Sequence, residues 1–288
     1  MQIDKASRTA YRVAMRRAMH QLVDAPPIFQ DPLAVQILGE DEVLLATRDA
    51  GYKRQNAGSR SLRAFIAARS RFAEDQLASA YMTGKRQYLI LGAGLDTFAY
   101  RNPFADLHVF EVDHPATQEM KRHRLQKAGI AIPDNLIFAP VNFEGESLTN
   151  GLQRAGFDFS LETFVSCLGV IPYLTLEAIT DTLAVVGGMG RGSEMVFDFG
   201  LPPGSAGVAE RLAFAMLEKR VAAAGEPFRT FFHTKSLVAL MQTQGFHRFE
   251  VLGPKEINDR YFADRSDGLK VGGTLAHLMH GATALPDG

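Results

Sequence analysis

The chain has 288 residues, 46% of them hydrophobic and 22% charged, a composition that excludes wholesale disorder and allows a full core in one or two domains. Lys and Arg number 31 against 32 Asp and Glu, so the net charge is −1 and a strongly basic, nucleic-acid-wrapping protein is excluded.

The first third reads as helical. Residues 5–22 carry Ala10, Val13, Ala14, Ala18 and Leu22 close to helical spacing. Arg8, Arg12 and Arg16 repeat every four residues on another face, which suits a solvated surface or a basic lid over an anion. Asp24-Ala25-Pro26-Pro27 stops that helix, and Asp31-Pro32 opens a short one with Asp31 as N-cap. Residues 60–82 are strongly helical, with Arg69 on or beside the apolar stripe of Leu62, Phe65, Ile66, Phe72, Ala73 and Leu77. From residue 86 the period changes. GKRQYLILGAG is a short apolar run that ends in glycines, as a buried parallel strand does. LHVFEVDHP, NLIFAPVNF, ETFVSCLGVI and GSEMVFDFG read as further strands, with helices predicted at 117–128 and near 175–187. Helices at 205–224 and from Thr234, as N-cap, to a stop at Gly245 precede the strands HRFEVLGP and AHLMHGAT. Alternating strands and helices predict a parallel α/β sheet covered on both faces.

The chemistry centres on Gly92-Ala93-Gly94. Glycines after a first strand let a ligand approach the backbone, and a following helix N-terminus would favour negative charge. The dinucleotide pattern needs a third glycine at position 97, where Thr97 stands, which weakens an NAD(P)-linked oxidoreductase as the alternative. Glu111 and Asp113 end the second strand, where an acid accepts hydrogen bonds from ribose hydroxyls. Together these features predict an adenosine ligand with a short tail, which S-adenosylmethionine fits.

LILGAGLDTFAYR followed by VFEVDHP resembles the leucine carboxyl methyltransferase family, especially its bacterial polyketide-type O-methyltransferase branch. The resemblance extends through TAYRVAMRRAMHQL, IFQDPLAVQIL, AARSRFAEDQL, SCLGVIPYLT and GEPFRTFF. It implies a class I methyltransferase fold: a Rossmann-like, seven-stranded, mostly parallel sheet with the last strand antiparallel. A helical cap (about 1–84) would precede a core (about 85–288) that carries a helical insertion (about 201–233). It further implies that Arg69 binds the cofactor's methionine carboxylate. Gly92, Ala93, Gly94 and Asp96 would form the loop beneath the methionine and ribose, and Asp113, with Glu111, would serve the ribose. Asn142 and Phe143 stand where the family usually has Asp-Leu beside the adenine. Tyr173 matches a family tyrosine, whereas Ser166 or Leu168 falls where a Glu is usual, so a backbone carbonyl is expected to hold the cofactor's amino group.

The expected acceptor is a small molecule bound between the cap, Tyr173 and residues 201–233, with Arg12 or Arg101 orienting an anionic group. A carboxylate acceptor is already ionised and needs no base, whereas a phenol would gain from a histidine, for which His20 and His233 are the candidates. A SAM-binding module without catalysis and a protein-carboxyl methyltransferase are further alternatives. Tyr81-x-x-x-Lys85 and Asp198-Phe199-Gly200 mimic dehydrogenase and kinase motifs by chance, because their required partners are missing. The single cysteine, Cys167, lies in an apolar run and reads as a small hydrophobe, which excludes a disulfide framework and suits a reducing compartment. No His/Asp/Glu cluster has metal spacing, and a metal-free reaction is expected. No apolar run approaches the roughly 20 residues of a bilayer span, and the N-terminal segment lacks a signal-like apolar stretch. A cytoplasmic protein with neither membrane nor nucleic-acid partner is therefore expected; the oligomeric state is left open.

Overall fold

The computed structural model describes residues 8–48, 57–143, 145–223 and 225–285. Seven strands form one sheet: β1 (Gln87–Leu91), β2 (His108–Asp113), β3 (Leu136–Pro140), β4 (Thr163–Cys167), β5 (Glu194–Gly200), β6 (Phe246–Leu252) and β7 (Ala276–Thr283). Their order is β3-β2-β1-β4-β5-β7-β6. β1 to β5 pair in parallel, and β7 runs antiparallel to both β5 and β6. This is the class I methyltransferase arrangement that the sequence resemblance implies.

Period-two alternation sends each strand's side chains to two different cores. Leu89, Leu91, Phe110, Val112, Val165 and Cys167 face one layer, shared with helices α6 (Leu148–Arg154), α7 (Leu176–Gly187) and α9 (Thr234–Thr243). Tyr88, Ile90, Val109, Phe164 and Val196 face the other, packed on α4 (Ala57–Met82) and α10 (Pro254–Tyr261). Because both faces are covered, β1 and β4 are buried at every position, which explains their continuous apolar runs. The N-terminal helices α1 (Arg8–Val23), α2 (Leu33–Leu38) and α3 (Glu40–Arg48) form a third cluster against Leu95 and Leu125, the latter on α5 (Pro115–Lys127). Helix α8 (Val208–Ala222) follows β5 and buries only Val221.

Three local expectations change. No α-helix follows the glycine loop: a 3-10 turn, Phe98–Tyr100, stands there instead. Asn102-Pro103 arrives too soon for a helix to develop, since the residue before a proline is driven out of the α region. His233, not Thr234, occupies the cap position of α9; its carbonyl accepts the Leu237 N–H, and no side chain caps the helix. Pro32 likewise precedes the first residue of α2, although the Asp31 carboxylate does accept the Leu33 N–H at 3.2 Å. Gly245, with φ +91°, does end α9's last turn.

Candidate active site

The cleft opens at the carboxyl ends of β1, β2 and β4, where the strand order reverses, the usual ligand position in an open α/β sheet. It encloses about 1300 Å³ including its open mouth.

The sheet side is shaped by backbone. Gly92 adopts φ +69°, and a Cβ there would lie 2.3 Å from Val170 Cγ2. The Gly92 and Ala93 N–H groups donate to the Val112 carbonyl at 2.8 and 3.0 Å, which locks the turn to β2. Gly94, with φ +49°, packs beneath α1, and a Cβ would stand 3.1 Å from that of Ala10. Its N–H donates to Asp113 Oδ2 at 2.6 Å, while the His114 N–H donates to Asp113 Oδ1 at 2.7 Å. Each carboxylate oxygen keeps a further lone pair for a ligand. Burial pushes the Asp113 carboxyl above its usual range despite these two amides. Asp96 also lines the cleft. Burial raises its carboxyl, but the charges of Arg17, Lys121 and Arg101 outweigh that and hold it below the ordinary value. Asn142 and Phe143 follow β3 on the same wall.

Arg69 reaches the cleft from α4 and is 6% exposed. Its Nη1 donates to Asp198 Oδ2 at 3.0 Å. Tyr173 also lines the cleft, and burial pushes its hydroxyl up to about 12. Its ring centroid lies 5.2 Å from that of Phe228, beyond which Phe214 and Phe231 continue an aromatic cluster.

Several expected site residues lie elsewhere. Glu111 is fully buried and outside the cleft: Lys121 Nζ donates to its Oε2 at 2.6 Å, and burial pushes its carboxyl up to about 6. Strand alternation puts Glu111 and Asp113 on one face, but only Asp113 stands at the strand's open end. Arg12 is exposed and points away from the cleft wall, as the solvated face of α1 requires. Arg101 is paired with Glu74 through both Nη atoms and does not reach the cleft. His20 is fully buried, with Nδ1 2.9 Å from Asp24 Oδ2 and Nε2 accepting the Ile28 N–H at 2.9 Å. Both ring nitrogens are thus occupied, which rules it out as a base. His233 is exposed at the start of α9, outside the cleft.

The sequence reading missed Arg17, Glu226 and Asp198. Arg17 lines the cleft from α1, donates to the Leu95 carbonyl at 2.6 Å and lies 2.7 Å from Asp31. Its spacing from Ala10, Val13 and Ala14 places it on the buried stripe, a signal the conspicuous 8/12/16 series concealed. Glu226 Oε2 accepts the Thr9 N–H at 3.2 Å and caps the first turn of α1. Thr97, which replaces the third glycine of the dinucleotide pattern, is fully buried and donates to Asp31 Oδ1 at 2.6 Å. The chance motifs stay apart: Tyr81 pairs with Asp106, while Lys85 pairs with Glu194. Among the described residues, no group of three His, Cys, Asp or Glu could hold a metal ion, and no helix is long and apolar enough to cross a membrane.

The sequence profile of leucine carboxyl methyltransferase matches residues 10–187, which span the α1 wall, the glycine loop and Tyr173. The chain belongs to the leucine carboxyl methyltransferase family. Its relatives include YktD of Bacillus subtilis (strain 168), a provisionally named S-adenosyl-L-methionine-dependent methyltransferase that is 32% identical over 97% of this chain and 99% of that protein. SCO7813 of Streptomyces coelicolor, with the same provisional name, is 33% identical over 71% of each chain. Among solved structures, a DUF574 family protein from Streptomyces avermitilis shares the fold, with a TM-score of 0.57, 13% identity and 98% of each chain covered.

Proposed function

We propose that the chain is an O-methyltransferase that moves a methyl group to a carboxyl or hydroxyl oxygen of a small, polyketide-like acceptor. The coarser activity, S-adenosylmethionine-dependent methyl transfer, follows from its family and close relatives. The cleft fits that cofactor: Gly92 and Gly94 leave the surface clear where side chains would intrude, and Asp113 has acceptor capacity beside them. When bound, S-adenosylmethionine supplies a sulfonium methyl group that is electrophilic without further activation. Arg69 would hold the methionine carboxylate, Asp113 the ribose hydroxyls, and Asn142 and Phe143 the adenine edge. The helices before β1 act as a cap over this surface.

The observation that carries the acceptor reading is the far half of the cleft, where Tyr173 backs onto Phe228, Phe214 and Phe231. Tyr173 lines the cleft and the phenylalanines stand behind it, outside the lining; a ring backed in this way suits a planar acceptor, and the Tyr173 hydroxyl, which burial keeps protonated, would donate to an acceptor oxygen. The enzyme's contribution is then in-line positioning and exclusion of water. The test is incubation with methyl-labelled S-adenosylmethionine and separate panels of phenols, carboxylic acids, amines and C-terminal peptides. Label in phenols, or in base-labile esters of small acids, is the expected result. Transfer only to amines or peptides would overturn the O-methyl small-molecule reading.

A further inference from the structure

Asp198 is 5% exposed at the end of β5 and does not line the cleft. Both of its oxygens are committed to groups that do. Oδ2 accepts from Arg69 Nη1 at 3.0 Å, and Oδ1 accepts the Gly169 N–H at 2.5 Å. Gly169 sits in the turn after β4 with φ +72°, and a Cβ there would come within 2.7 Å of Arg69 Nη2. Arginine and turn are therefore packed face to face, with one carboxylate bonded to each.

Asp198 is the only hydrogen-bond partner of Arg69 among the described residues. The guanidinium carries five donors, of which Asp198 uses one, so a residue that lines the cleft keeps donors for a ligand. An arginine on a long, flexible stem loses considerable rotamer freedom when it is fixed, and a buried carboxylate partner meets that cost before any ligand arrives. The same carboxylate holds the Gly169 N–H, and with it the 168–170 turn that lines the cleft together with Arg69.

We infer that Asp198 is a positioning residue that presets Arg69 and the Gly169 turn to receive the amino-acid tail of the cofactor, without itself touching the ligand. This rests on the proposed placement of the methionine carboxylate at Arg69. The inference separates the two ends of the ligand: the adenosine end, held near Gly92 and Asp113, should not sense Asp198.

The test is calorimetric titration of the wild-type chain, Asp198→Asn and Arg69→Ala with S-adenosylhomocysteine and with 5′-methylthioadenosine, which lacks the amino-acid tail. Asparagine keeps the shape but cannot serve both partners as a carboxylate does. S-Adenosylhomocysteine should bind Asp198→Asn about tenfold or more weakly, with 5′-methylthioadenosine unchanged within about twofold. In the double variant, the Asp198 change should add little to the Arg69 change, because both remove one interaction. Equal weakening of both ligands, an unchanged affinity for S-adenosylhomocysteine, or full additivity would overturn the inference while leaving the cofactor reading intact. A folded wild-type chain that binds neither ligand would overturn that reading, and the inference with it. Should Asp198→Asn fail to fold, Asp198→Glu provides the same ligand comparison with the charge retained and its position shifted.

Discussion

On the sheet side, the surface of the cleft is shaped largely by backbone: Gly92, Gly94 and Gly169 hold positive φ, and amide groups from the glycine loop close onto Val112 and Asp113. On the facing side the surface is made of side chains from α1, the 171–173 turn and the 225–229 loop, joined by contacts such as Glu226 to Thr9 across 217 residues. The contrast separates two kinds of recognition. Turn geometry requires particular residues at particular positions and so leaves a mark in the sequence. A wall assembled from distant side chains can be rebuilt without changing the fold, which is where acceptor specificity can vary within one family.

The largest expected effect lies behind the backbone wall. Glu111→Gln leaves Lys121 buried without its anion and should cost about 3–5 kcal/mol of stability. Denaturant unfolding measures the cost, and S-adenosylhomocysteine affinity of the folded variant should stay unchanged. A selective loss of binding with normal stability would return Glu111 to the site. Next comes Gly92→Ala, which meets both Val170 and a left-handed backbone. S-Adenosylhomocysteine affinity should fall about a hundredfold, only part of it from the left-handed backbone, and near-normal binding would show that the loop yields to a side chain.

Farther from the cleft, Asp24 anchors α1 to α4 through a two-pronged pair with Arg63 and a contact with His20. Burial works against its charge, but Arg63 and His20 outweigh it and hold the carboxyl down at about 2. A depressed carboxyl stabilises the fold above its unfolded value of roughly 4, and that stability disappears as pH falls through 2. Asp24→Asn should therefore cost about 2 kcal/mol near neutrality, with the gap to wild type closing between about pH 4 and 2 in denaturant titrations. A gap independent of pH would contradict the pairing. The smallest effects belong to the side-chain wall. Tyr173→Phe should lower turnover about tenfold, the scale of one lost hydrogen bond, with S-adenosylhomocysteine affinity within twofold, whereas Arg12→Ala and His233→Ala should leave turnover unchanged.

This division also explains what could be read from the chain. The strands were visible because β1 and β4 are apolar on both faces, and the sheet-side wall of the cleft because Gly92, Gly94 and Asp113 are fixed by local geometry. Arg12 and His20 misled for a physical reason. Both lie on α1, and a helix periodicity alone does not say which stripe faces the cleft; Arg17, one residue from the eye-catching arginine series, is the arginine of α1 that lines it. Asp198 looked like an accidental motif because its partner, Arg69, is 129 residues away. The helix expected after the glycine loop failed because Pro103 intervenes, so the anion-binding helix end that was anticipated there does not exist.

The most direct measurement is calorimetric titration of the wild-type chain and Asp113→Ala with S-adenosylhomocysteine, with NAD(H) and NADP(H) as controls. Binding of S-adenosylhomocysteine in the micromolar range, weakened in the variant at least about tenfold, or about 1.4 kcal/mol, and not matched by either nicotinamide cofactor, is the predicted result. No heat from a folded wild-type chain, or tighter binding of a nicotinamide cofactor, would contradict the assignment of the glycine wall to an S-adenosyl ligand.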